Sequence, residues 1–234
     1  MVISRHGKVS SAVKMTMVCR KREKGHKKIL NSERVKIMEA RIATVNRKTK
    51  ETAISLTLNL DGSGKCKINT GIDFFDHMLG GFARHGLFDL DLTCRGDLAV
   101  DSHHSIEDCG IVLGEAVRQA LGDKKAIKRY GSFILPMDEA LMLCAVDLSG
   151  RPYLSFDSQY TVPMLGTMQT EMIHDFFYAV SYAAAMNLHI KQLSGDNNHH
   201  IAEGSFKAFG KALDMATMYE ERLEGSVWST KGVL

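Results

Sequence analysis

The sequence predicts an α/β fold of the α+β type: an internally duplicated strands-helix-strand-helix unit, with two pseudo-symmetric halves that pack sheets against helices. Three observations lead there. First, one short pattern occurs twice: Asp101-Ser-His-His-Ser-Ile-Glu-Asp108 and Asp196-Asn-Asn-His-His-Ile-Ala-Glu-Gly204 share a His-His-x-x-Glu core. The spacing between the copies is constant, since 199 − 103, 200 − 104 and 203 − 107 all give 96. Second, stretches with the two-residue alternation of strands and stretches with helical periodicity follow one order on both sides of Gly122, the mark of an internal repeat. Third, 234 residues of ordinary globular composition, 44% hydrophobic and 24% charged, suffice for one core or two small ones.

Taken in order, residues 1–38 are basic and weakly patterned, with no acid before Glu23. They are expected to be a disordered or dispensable extension ahead of a start near Met38, in preference to a targeting peptide. Residues 39–126 then form the first half and 127–234 the second. Residues 41–46 and 53–60 are predicted strands, the second alternating cleanly as Ala-Ile-Ser-Leu-Thr-Leu-Asn-Leu. Asp61-Gly-Ser-Gly64 is expected to turn the chain back into Lys65–Asn69 as a hairpin. A helix over 73–85, a strand through Phe88, Leu90, Leu92 and Cys94, and a helix from the first motif to about Leu121 complete the half. After Gly122 come strands at 132–136, 140–147 and 152–157. A helix follows from about Gln169 to Met186, then a strand at Leu188–Leu193 and a helix from 199 to 222.

The formal net charge is +3, and basic residues crowd Lys21, Arg22, Lys24, Lys27 and Lys28, so no nucleic-acid surface is expected in the remainder. Five cysteines, Cys19, Cys66, Cys94, Cys109 and Cys144, are scattered without a Cys-x-x-Cys, which fits reduced thiols and a cytoplasmic protein. No run approaches the roughly 18 apolar residues of a membrane span.

The chemistry sits in the repeated motif. On a helix, positions i, i+1 and i+4 fall within an arc of about 100°, so each triplet presents two imidazoles and a carboxylate. That is a ligand set for a divalent cation such as manganese, iron or zinc. A single His-His pair would be read as the start of a surface helix. A second copy at fixed spacing, with its Glu in place, favours ligands: His103, His104 and Glu107, with His199, His200 and Glu203. Adjacent rings diverge by about 100°, so the two of a pair should serve different ions, which predicts a two-metal protein. Completing ligands come from the preceding helices: His77, 26 residues before His103, and His174, 25 before His199, with Asp175 beside it.

Five stretches together resemble the imidazoleglycerol-phosphate dehydratase family: Gly71-Ile-Asp-Phe-Phe-Asp-His-Met-Leu79, Asp101–Asp108, Leu148-Ser-Gly-Arg-Pro-Tyr153, His199-His-Ile-Ala-Glu-Gly-Ser-Phe-Lys-Ala208 and Ser229-Thr-Lys-Gly-Val-Leu234. The likeness runs from about residue 41 to the C-terminus. It implies loss of water from imidazole glycerol phosphate to give imidazole acetol phosphate in histidine biosynthesis. It further implies two manganese ions (Mn2+) per active site and a large homo-oligomer with sites between subunits. Carried over, the metal ligands are His77, His103, His104, Glu107, His199, His200 and Glu203. The eighth position, usually His or Glu, falls on Asp175, with His174 as the alternative. Ser102 stands where an Asp is common. Glu51, in Arg47-Lys-Thr-Lys-Glu-Thr52, matches a position facing the substrate diol and is the first choice for general acid or base, with Glu203 or Glu107 to relay the other proton. Arg129, Arg151, Lys207, Ser229 and Lys231 are assigned to the phosphate, while Glu51, His77, His103, Glu107 and His199 contact the rest of the substrate.

The reaction removes a proton from a carbon that no carbonyl flanks, so it needs an electron sink. An imidazole held through both nitrogens by two cations loses its ring proton and supplies one. Two other readings compete: a two-metal phosphoester hydrolase, and a non-enzymatic metal-binding assembly with no use for phosphate-binding groups.

Overall fold

The computed structural model describes residues 40–234, and the expectation for residues 1–38 lies outside them. Strands β1 (Ile42–Lys48) and β2 (Thr52–Asn59) form an antiparallel hairpin in which Ile42 faces Asn59 and Lys48 faces Ala53. Ile54, Leu56 and Leu58 of β2 point inward, as their alternation dictates. The expected return hairpin over Lys65–Asn69 does not form. Strand β4 (Asp89–Gly96) takes the second edge of β2, and β3 (Cys66–Asn69) runs parallel to β4 on its far side, giving the order β1-β2-β4-β3. Burial outweighs proximity here: β4 sets Cys94, Leu92 and Leu90 opposite Ile54, Leu56 and Leu58, whereas β3 offers only Ile68. The turn itself is tied to β4, since Asp89 Oδ1 accepts from the N–H groups of Ser63 at 2.8 Å and Lys65 at 3.0 Å.

The second sheet repeats the plan. Strands β5 (Tyr130–Met137), β6 (Ala140–Asp147), β7 (Tyr153–Asp157) and β10 (Asn187–Ser194) lie in the order β5-β6-β10-β7, with β7 and β10 parallel. A two-stranded insertion, β8 (Met164–Leu165) and β9 (Met168–Gln169), is not expected from the pattern. It takes the first residues expected of the next helix.

Four helices pack across the halves. Helix α1 (Asp73–Gly86) lies against α4 (Asn198–Thr217), and α3 (Met172–Ala183) against α2 (His103–Leu121). Helix α2 covers β1 and β2, and α4 covers β5 and β6. The inward stripe of α1, Phe75, Met78, Leu79 and Phe82, has the i, i+3, i+4, i+7 spacing of a buried face. Phe75, Phe176, Phe177, Phe206 and Phe209 interlock with neighbouring ring centroids 4.8 to 6.5 Å apart. Glycines bring the helices close at positions that obey the repeat, since 210 − 114 = 96. A Cβ on Gly114 would lie 2.6 Å from Val180 O, and one on Gly210 2.5 Å from Phe82 O. Gly210→Ala is therefore expected to push α1 from α4 at a cost of about 3 kcal/mol, read as a lower midpoint in thermal unfolding at fixed protein concentration.

Helix α4 ends at Thr217, short of the expected 222. Past it the chain is drawn into pairing with the segment before β5, where Lys128 N donates to Met218 O at 2.8 Å and Glu220 N to Ala126 O at 2.7 Å. A short 3-10 turn, Glu221–Leu223, follows. Among the described residues, no helix is long and apolar enough to cross a membrane.

Candidate metal centre

Both motifs open a helix, and a side chain that accepts from the amide of the first histidine repeats with them. Asp101 Oδ1 accepts from His103 N at 2.8 Å, and Asn197 Oδ1 accepts from His199 N at 3.0 Å and His200 N at 3.3 Å. The offset, 197 − 101 = 96, is that of the ligands. The two rings of each pair diverge: centroids are 5.9 Å apart for His103 and His104, 6.2 Å for His199 and His200, at near-perpendicular planes.

His199, Glu203 and His77 of α1 come together. Donor atoms of these three lie within 4.8 Å of one another. Glu203 Oε2 is 3.0 Å from His199 Nε2 and 3.3 Å from His77 Nε2, while its Oε1 accepts from Lys207 Nζ at 2.7 Å. Glu203 is buried beneath two half-exposed imidazoles. Burial alone would raise its carboxyl, but the bonded Lys207 ammonium and His77 outweigh that and hold it below the usual carboxylate range.

The matching set in the other half is looser. His103 Nε2 lies 3.9 Å from Glu107 Oε2, and His103 Nδ1 lies 3.9 Å from Asp175 Oδ2. Of the two neighbours on α3, Asp175 is the one facing His103. His174 stacks on Tyr178 and meets the edge of Phe156, with its Nδ1 3.0 Å from Asp175 Oδ1. Ser102 bonds to the Gln169 side chain and touches no candidate ligand.

His104 and His200 turn away from these clusters, each with a carboxylate on Nδ1. Asp97 serves His104 at 3.0 Å and Glu139 serves His200 at 2.8 Å. Asp97 raises the His104 imidazole above its ordinary range, and Glu139 does the same for His200 while its own carboxyl is drawn down. Sequence reasoning missed both acids, because neither lies at motif spacing. Glu51, exposed in the β1–β2 turn, approaches His104, with Oε1 4.0 Å from Nε2.

The candidate phosphate groups divide. Lys207 stands beside Glu203, one helical turn on. Arg129 is buried, bonded to Asp147 through Nε at 2.6 Å and Nη2 at 3.1 Å, and its Nη1 donates to Trp228 O at 2.8 Å, next to Ser229. Arg151 follows Gly150, whose φ of +78° and closeness to the Leu234 backbone admit no side chain cheaply. Lys231 N donates to Ser229 Oγ at 3.2 Å. This second group lies at the far end of α4: Arg129 N donates to Ala216 O, and 216 − 203 is 13 residues, about 20 Å of helix.

A family model described as imidazoleglycerol-phosphate dehydratase matches residues 70–213. The chain is 61% identical over 194 residues to an imidazoleglycerol-phosphate dehydratase of Lachnoclostridium phytofermentans, covering 83% of this chain and 98% of that one. It is 60% identical over 190 residues to one of Acetivibrio thermocellus, covering 81% and 97%. The crystal structure of imidazoleglycerol-phosphate dehydratase from Staphylococcus aureus superposes with a TM-score of 0.70 at 38% identity, over 76% of this chain and 99% of that one. One from Pyrococcus furiosus gives 0.71 at 39%, over 81% and 100%. With that match over most of its length, the chain belongs to the imidazoleglycerol-phosphate dehydratase family.

Proposed function

We propose that this chain removes water from imidazole glycerol phosphate to give imidazole acetol phosphate, a step of histidine biosynthesis, at sites that hold two manganese ions and are built between copies of the chain. Membership of the family makes it a hydro-lyase. The observation that carries the reading is the nest of His77, His199 and Glu203, whose donor atoms converge within 4.8 Å. Imidazole nitrogens and an ionised carboxylate suit manganese, and Glu203 is already kept charged by Lys207, so the donor set fits the cation. His103, Glu107 and Asp175 make the corresponding set, and His104 and His200, turned away from both sets, serve ions gripped by a neighbour. When bound, the cations supply Lewis acidity to the imidazole ring.

Lengths support sharing between copies. The substrate places its imidazole on the order of 7 Å from its phosphate by ordinary bond lengths. Arg129 stands about 20 Å along α4 from Glu203 of the same chain, and the tail that carries Ser229 and Lys231 is tied to it through Trp228 O. Those groups therefore serve a site on an adjoining copy, while Lys207 serves its own. Among the three acids, Glu203 has both oxygens engaged, by Lys207 and by two imidazoles, which makes it a ligand and a poor base. Glu51 is exposed and, among the described residues, held by no ammonium or guanidinium, so it is the group able to take the carbon proton or return one to the departing hydroxyl. Asp175 completes the second set, with His174 behind it as a hydrogen-bond neighbour.

We also place the protein in the cytoplasm, on the strength of the buried free thiols Cys94, Cys109 and Cys144. One assay tests the whole reading: purified protein with manganese and imidazole glycerol phosphate, followed for ketone and for inorganic phosphate together. Ketone without phosphate is expected; phosphate without ketone means a hydrolase.

A further inference from the structure

His104 and His200 occupy equivalent places in the repeat, yet the carboxylates that grip them do not. Asp97 lies in the connection from β4 to α2, and Glu139 lies in the turn from β5 to β6. Shifting Asp97 forward by 96 gives Leu193, and shifting Glu139 back by 96 gives Ala43. Each half has thus found its own acid for the same ring atom, Nδ1, at 3.0 Å in one case and 2.8 Å in the other. Both acids are themselves anchored. Asp97 O accepts from Val100 N at 2.7 Å, and Glu139 Oε1 accepts from Asn197 N at 3.1 Å. An ionised carboxylate can only accept, so Nδ1 must carry the hydrogen in each ring, and in the neutral imidazole, the form that binds a cation, the lone pair is then on Nε2. In His104 that nitrogen faces the Glu51 side of the fold.

We infer that Asp97 and Glu139 are positioning residues, which lock His104 and His200 in the tautomer and orientation that present Nε2 to a divalent cation. The inference rests on the two-cation reading above and adds to it the ligating atom and the groups that select it. A neutral imidazole alone is divided between two tautomers and free to swing, so loss of either acid costs affinity at the ion its histidine serves.

The test uses the full chain, stripped with a chelator and titrated with manganese by calorimetry. Asp97→Ala and Glu139→Ala are each expected to weaken one class of manganese sites by about 10- to 100-fold. Asp97→Asn and Glu139→Gln, which keep an acceptor oxygen and guard against a variant that fails to fold, are expected to recover most of that loss. A crystal of the manganese-loaded protein should have Nε2 of both histidines on the metal. Unchanged dissociation constants alongside a lowered thermal midpoint would reduce the two acids to structural contacts, and ligation through Nδ1 would overturn the inference outright. No manganese uptake by the unaltered protein would sink this inference together with the reading beneath it. Uptake with equal affinity in every variant sinks this one alone.

Discussion

Replacing Glu203 by Ala is expected to leave the chain folded, remove bound manganese and lower kcat/KM by at least about a thousandfold, the order of 4 kcal/mol of transition-state stabilisation. The carboxylate lies under two imidazoles at the surface end of α4, and Lys207, once released, can turn to water, so little packing is lost. Glu203→Gln separates charge from shape. It keeps the volume and one acceptor oxygen but offers no anion, and should behave like the Ala variant in metal content while melting at nearly the temperature of the unaltered protein. Manganese retained in full, with turnover unchanged, would refute the assignment.

The second large effect is a recovery. His199→Ala and Arg151→Ala are each expected to be inactive alone. Dissociated, mixed in equal amounts and allowed to reassemble, they should regain activity approaching about a quarter of the unaltered level, because a site drawing its metal cluster from one chain and its phosphate grip from another has both parts intact in that fraction of cases. Arg151 suits this test better than Arg129, whose guanidinium is spent on Asp147 and Trp228 O and whose loss would disturb the fold. A mixture as dead as its components would mean that both groups serve a site within one chain.

Most of the architecture was legible because each element announces itself locally. The alternation at Ala53–Leu60, the helical spacing of Phe75, Met78, Leu79 and Phe82, and the doubled motif all survive into the structure. What escaped was decided by partners distant in sequence. Lys65–Asn69 carries a turn signal toward β2, yet β4 competes for that edge with three buried residues and wins. Helix α4 has no breaker at Thr217, and the pull comes from Ala126 and Lys128, some 90 residues earlier (218 − 128 = 90). The site divides along the same line. The histidines and glutamates sit at readable intervals, whereas Asp97 and Glu139 meet their rings only through the tertiary fold, and spacing could not single them out. Which of Asp175 and His174 faces His103 could not be read from adjacent positions, because α3 is oriented by Phe176 and Phe177 in the core.

The crosswise packing of α1 on α4 and α3 on α2 makes each half incomplete by itself. A lone half-length chain would carry one helix with no cover for its phenylalanines and one glycine notch with nothing seated in it. Two identical copies, exchanging helices about a twofold axis, would satisfy each other completely. The link from Leu121 to Tyr130 therefore ties together what two half-length chains would have to accomplish by pairing, and the clusters of His77 with His199 and Glu203 and of His103 with Asp175 would then each draw on both copies.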